Sequence, residues 1–110
     1  MIQITIYQNP NLENVGFLCS GHAGYAESGQ DIVCAGVSTL VINTINSIEA
    51  FTSTSYTLDM EEETGMIDFE FADEEIGHDA ALLMDSMILG LQGIQRNYGN
   101  EYIILEFKEV

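Results

Sequence analysis

Apolar and polar residues alternate at the start of the chain. Ile2, Ile4 and Ile6 are interleaved with Gln3 and Thr5, the period-two pattern of a strand with one face buried. Asn9, Pro10, Asn11 and Asn14 interrupt that pattern and predict a turn. Val15, Phe17 and Cys19 then alternate with Gly16, Leu18 and Ser20, which predicts a second strand paired with the first as a hairpin. Residues 21–30, GHAGYAESGQ, are glycine-rich and poor in apolar side chains, so they read as a loop. From there to about Phe51 the period changes. Val33, Val37, Leu40, Val41, Ile45 and Ile48 recur at helical spacing, with Asp31 in the position of an N-cap. The many β-branched residues in this helix imply that packing, rather than propensity, holds it.

Two further strands are predicted over residues 55–71. Tyr56, Leu58 and Met60 alternate with Thr57, Asp59 and Glu61, and Ile67, Phe69 and Phe71 with Asp68 and Glu70, around a turn at Glu63-Thr64-Gly65. The acidic run Glu61–Glu63 reads as a solvated hairpin tip, because adjacent carboxylates on an extended chain point to alternate faces and do not converge on an ion. Asp73 is placed to cap a second helix, with Glu74 and Glu75 in its first turn and an apolar stripe from Ile76 through Ala80, Leu83, Met84, Met87 and Leu91 to Ile94. Ile103, Leu105 and Phe107 mark a last strand. The order β-β-α-β-β-α-β predicts an α+β fold of two layers, a largely antiparallel sheet with two main helices packed on it. The 110 residues suit a single domain.

Composition narrows the function classes. Eighteen acidic residues stand against two basic ones, a formal net charge of −16. Such a field repels phosphate backbones, so no direct nucleic-acid binding is expected, and it attracts basic protein segments. No continuous apolar run reaches the roughly 18 residues of a membrane span, and residues 1–7 do not resemble a signal peptide. The expectation is a protein of the cytoplasm without a membrane partner, whose two cysteines, Cys19 and Cys34, remain thiols.

The chemistry concentrates in Cys19–Ser38, CSGHAGYAESGQDIVCAGVS. His22 directly follows a strand, and Cys34 falls about three residues into a helix. A helix start stabilises an anion through its unpaired N–H groups and its dipole, so a thiol placed there loses its proton more easily. A neighbouring imidazole could take that proton, and the free N–H groups could hold an oxyanion. Cys34 is thus a candidate nucleophile and His22 a candidate base. The plain alternative for Cys34 is a small buried hydrophobe on the helix. Asp31 is a helix cap, an orienting partner for His22, or both. Cys19 shares the face of Val15 and Phe17 and reads as core. His78 reads as a surface or capping residue. A zinc site built from Cys19, His22, Cys34 and His78 has no compact motif spacing, so no metal and no cofactor are expected.

The segment Gly21–Ala26 followed by Asp31–Ala35, Val37 and Ser38 closely resembles the signature of the ribosomal-processing cysteine protease family, Prp. Gly36 departs from it, standing where alanine is usual. The resemblance implies that Cys34 is the nucleophile and His22 the catalytic base, with Asp31 and Ser38 in supporting roles. It implies a mobile loop that includes Ala23, Gly24, Tyr25 and Gly29, and a homodimer. It further implies a substrate, the basic twenty-seventh protein of the large ribosomal subunit. Its N-terminal extension would be cut after aromatic residues and before a basic segment. The strong negative charge fits attraction of such a partner. The competing function is a non-catalytic acidic module that binds the same basic protein.

Overall fold

The computed structural model describes residues 1–22 and 31–110. Its elements follow the predicted order: β1 (Ile2–Gln8), β2 (Asn14–Ser20), α1 (Ile32–Phe51), β3 (Tyr56–Glu61), β4 (Met66–Phe71), α2 (His78–Tyr98) and β5 (Ile103–Glu109). The strands form one sheet in the order β3-β4-β2-β1-β5. All neighbours are antiparallel except β1 and β5, which run parallel.

Register explains why the sheet has one apolar face. Ile4 lies opposite Cys19 and Ile6 opposite Phe17. Phe17 in turn faces Phe69, Cys19 faces Ile67, and Ile2 faces Ile103. Because side chains alternate across a strand, these pairings place the whole set on one surface. Both helices cover that surface. Val33, Val37, Val41, Ile45 and Ile48 enter the core from α1, and Ala80, Met84, Met87, Ile88 and Leu91 from α2. By length and composition α1 could cross a membrane. Its most buried side chains instead face the sheet and α2, as those of a core helix do.

Local signals account for the start of α1. Asp31 is the N-cap, with an extended backbone and a side chain that accepts from the N–H groups of Val33 and Cys34. Gly36 lies in the second turn, where a Cβ would stand 3.6 Å from Ile94 Cδ1, an ordinary contact. Gly36→Ala is therefore expected to stabilise the protein by about 0.5–1 kcal/mol, through helix propensity and a less flexible unfolded chain. A urea unfolding midpoint that falls would contradict this.

The second helix begins later than the sequence pattern suggests. Asp73 does not cap it; α2 starts at His78, with Gly77 as N-cap. The Asp73 carboxylate instead accepts the N–H of Ser55, 3.0 Å away, just ahead of β3. Gly77 is extended (φ −60°, ψ 155°), so residues 73–76 lie outside the helix.

Candidate active site

Two glycines with positive φ shape the end of β2. Gly21 (φ +85°) follows the strand, and a Cβ there would run into the carbonyl oxygen of Met1. Gly65 (φ +68°) closes the β3–β4 turn, and a Cβ there would come within 2.7 Å of the Gly21 carbonyl oxygen. Glycine avoids the steric penalty that a side chain would meet in this conformation. The two segments interlock: the Gly21 N–H donates to the Thr64 carbonyl at 2.9 Å. His22 emerges next, exposed, with Nε2 3.3 Å from the carbonyl oxygen of Glu63. Its own carbonyl accepts from the Met1 ammonium. The histidine is thus held between the start of β1 and the turn of the second hairpin.

Cys34, half-buried, is the third residue of α1. Asp31 is buried directly beneath it, and its Oδ1 accepts from Val33 N–H and Cys34 N–H, each at 3.0 Å. The Ala35 N–H donates to the Asp31 carbonyl, also at 3.0 Å. Three of the first N–H groups of the helix are therefore engaged. This narrows the expectation that free N–H groups at this helix start would receive an oxyanion, since these three already have partners.

His22 and Cys34 line the same cavity, of about 240 Å³. Ile2 and Cys19 contribute from the first hairpin, and Val37, Ser38, Val41 and Ile42 from α1. The second hairpin supplies Met60, Glu61, Glu62, Met66 and Ile67. The walls are mostly apolar, with carboxylates on one side. Ser38 lies one helical turn beyond Cys34 and opens onto the same space.

Of the candidate residues, the fold brings His22, Cys34 and Ser38 to one cavity and sets Asp31 under the helix start as its cap. Ala23, Gly24, Tyr25 and Gly29 lie outside the described residues. His78 stands at the first residue of α2, exposed, 3.3 Å from Asp79, and is not part of the cavity wall. The four side chains weighed as zinc ligands are therefore not gathered together. The hairpin tip is the part that sequence reasoning missed. Glu61–Glu63 is solvated, as expected, yet it also borders the cavity and meets His22. Gly65 was the available signal, but nothing near it in sequence shows where the tip docks.

The two cysteines differ in kind. Burial pushes the Cys19 thiol up to about 11, and the neighbouring Cys34 adds to the effect. Between the ordinary value of 9.0 and about 11, the folded chain keeps a proton that the unfolded chain has released. This contribution to stability is full below pH 9.0 and is lost as pH rises toward 11. At pH near 8 the folded protein is expected to leave Cys19 unmodified by iodoacetamide, with labelling only after denaturation. Peptide mapping by mass spectrometry reads this directly; rapid native labelling of Cys19 would contradict it.

Comparison with known proteins gives the family and the fold. The family model described as cysteine protease Prp matches residues 1–103. The ribosomal processing cysteine protease Prp of Bacillus subtilis is 39% identical over 101 residues, covering 89% of this chain and 90% of that protein. Its counterpart from Staphylococcus aureus is 32% identical over 108 residues, covering 98% of this chain and 100% of that protein. The crystal structure of S. aureus Prp with a covalently linked product peptide superposes with a TM-score of 0.92 at 31% identity. It covers 98% of this chain and 100% of that one. The S. aureus complex with a substrate peptide gives a TM-score of 0.87 at 30% identity, with the same coverage.

Proposed function

Because the chain belongs to the cysteine protease Prp family, and is a cysteine protease, we propose that it cuts the N-terminal extension from the twenty-seventh protein of the large ribosomal subunit, using Cys34 and His22. The observation that carries this reading is the shared cavity. His22 and the helix-start Cys34 open onto one space. S. aureus Prp has been captured with a product peptide covalently linked, which is the chemistry a nucleophilic thiol performs.

His22 takes the proton from Cys34 Sγ, and the thiolate attacks the carbonyl carbon of the scissile peptide. As the tetrahedral intermediate collapses, the C–N bond breaks and the imidazolium protonates the departing amine. Water, deprotonated by His22, then attacks the thioester, releasing the carboxylate and restoring the thiol. The Asp31 carboxylate under Cys34 opposes thiolate formation, whereas the helix dipole and a protonated His22 favour it. The Ser38 hydroxyl opens onto the cavity and is the candidate donor to the oxyanion, given that the Val33, Cys34 and Ala35 N–H groups are engaged.

The net charge of −16 supports a basic substrate, drawn in by long-range attraction. The apolar part of the cavity suits an aromatic side chain, and Glu61 and Glu62 suit a basic one. The reading includes a homodimer acting in the cytoplasm, where both cysteines stay reduced. The test is incubation with a synthetic peptide spanning the extension and its basic flank, followed by mass spectrometry. Two fragments, divided after an aromatic residue, are expected. Tight binding of the peptide without any product would overturn the reading in favour of an acidic binding module.

A further inference from the structure

We propose that the β3–β4 turn is a positioning element of the catalytic site: the Glu63 carbonyl holds His22 as its Nε2–H tautomer and leaves Nδ1 to take the Cys34 proton. The proposal rests on the proteolytic reading above and deepens it.

A neutral imidazole has one nitrogen that donates and one that accepts, and the partner of the first decides which is which. A backbone carbonyl can only accept. The 3.3 Å approach of Nε2 to the Glu63 oxygen is therefore a hydrogen bond only when the proton sits on Nε2. The lone pair then resides on Nδ1. When Nδ1 takes the thiol proton, the imidazolium donates from both nitrogens and its bond to Glu63 persists. A neutral dipole thus does the orienting work that a carboxylate does in a triad, without itself titrating.

The surrounding backbone is built to keep that carbonyl in place. Gly65 N–H closes the turn onto the Glu62 carbonyl at 3.2 Å, and Gly21 N–H ties the histidine segment to Thr64 at 2.9 Å. A Cβ on Gly65 would stand 2.7 Å from the Gly21 oxygen and 3.6 Å from His22 Cε1. The turn and the histidine segment therefore approach as two backbones in direct contact. The Glu63 side chain is exposed, so its charge has no part in the proposal.

Two experiments on the full chain test it. In the Cys34→Ala protein, ¹⁵N spectra of the neutral His22 imidazole are expected to show a protonated Nε2 and a bare Nδ1. The opposite tautomer, or an even mixture, would overturn the proposal. Replacing Thr64 by its α-hydroxy acid turns the Glu63 carbonyl into an ester carbonyl, a weaker acceptor. This is expected to lower kcat on the cleavable peptide about three- to tenfold, the effect of weakening one hydrogen bond. KM should stay within about twofold, because the bond acts on the base and not on substrate binding. The same replacement at Glu75, an exposed residue ahead of α2 that does not line the cavity, should change neither. An ester at Thr64 with unaltered kcat, or an ester at Glu75 that loses the same activity, would also overturn it. If the unaltered protein cleaves no peptide, the protease assignment fails while the spectra still decide the tautomer. If it cleaves and the proton sits on Nδ1, only the role of the turn falls.

Discussion

Cys34→Ala is expected to remove peptide cleavage, with kcat/KM down by at least about 10⁴-fold, and His22→Ala to do nearly as much. Residues that act as one unit lose most of the rate enhancement when either is removed, so the double variant should be little worse than the singles. The fold should survive both changes. Cys34 is only half-buried, and Asp31 caps α1 through the backbone N–H of residue 34, which alanine retains. His22 is exposed, and its ring contributes the contact to the Glu63 carbonyl. Losing it should cost about 1 kcal/mol or less. The measurement pairs product formation with thermal unfolding. Cleavage persisting in both variants at near-normal rate would sink the assignment. Loss of cleavage together with loss of cooperative unfolding would show a structural role instead.

The positions of these two residues, though not their roles, were legible in the sequence because the signals are local. The cap at Asp31 and the helical period after it set Cys34 three residues into a helix, and the end of an alternating strand set His22. Neither needs knowledge of a distant partner. The core was legible for the same reason: one face of every strand is apolar, and alternation reports that face directly. What failed to show were contacts between distant segments. Asp73 carries every local mark of a helix cap, yet its carboxylate goes to Ser55 N–H, eighteen positions back. The Glu63 carbonyl meets His22 across 41 positions, so a run of acidic residues read as solvated is also part of the site. Phe107 follows the alternation of β5, but at 47% exposure it stays outside the core. Among the described residues its strand is at the edge of the sheet and pairs with β1 alone, so periodicity names the face of a strand without saying whether anything covers it.

Phe69→Ala is expected to destabilise the protein by about 3–5 kcal/mol. Phe69 is fully buried at the centre of β4. Its ring stacks on Phe17 at 5.3 Å and on Tyr56 at 5.0 Å, and meets Phe71 edge-on at 5.1 Å. Phe17 belongs to β2 and Tyr56 to β3, so one side chain joins three neighbouring strands. Truncation removes the transfer energy of the ring, the aromatic contacts and the support of the surrounding side chains at once. For a domain of this size the melting temperature should fall by roughly 15 °C or more. The damage should also reach the site before global unfolding. Met66 and Ile67, on the same strand, form part of the cavity wall, and the turn that meets His22 joins β3 to β4. With β3 paired among the described residues only to β4, loosening this hairpin should lower kcat at temperatures where the rest of the fold is intact. Phe107→Ala is the control, expected to cost less than about 1 kcal/mol and to leave cleavage unchanged. Urea unfolding of both variants decides the matter: a Phe69→Ala loss no larger than that of Phe107→Ala would mean that the aromatic cluster does not hold the hairpin to the sheet.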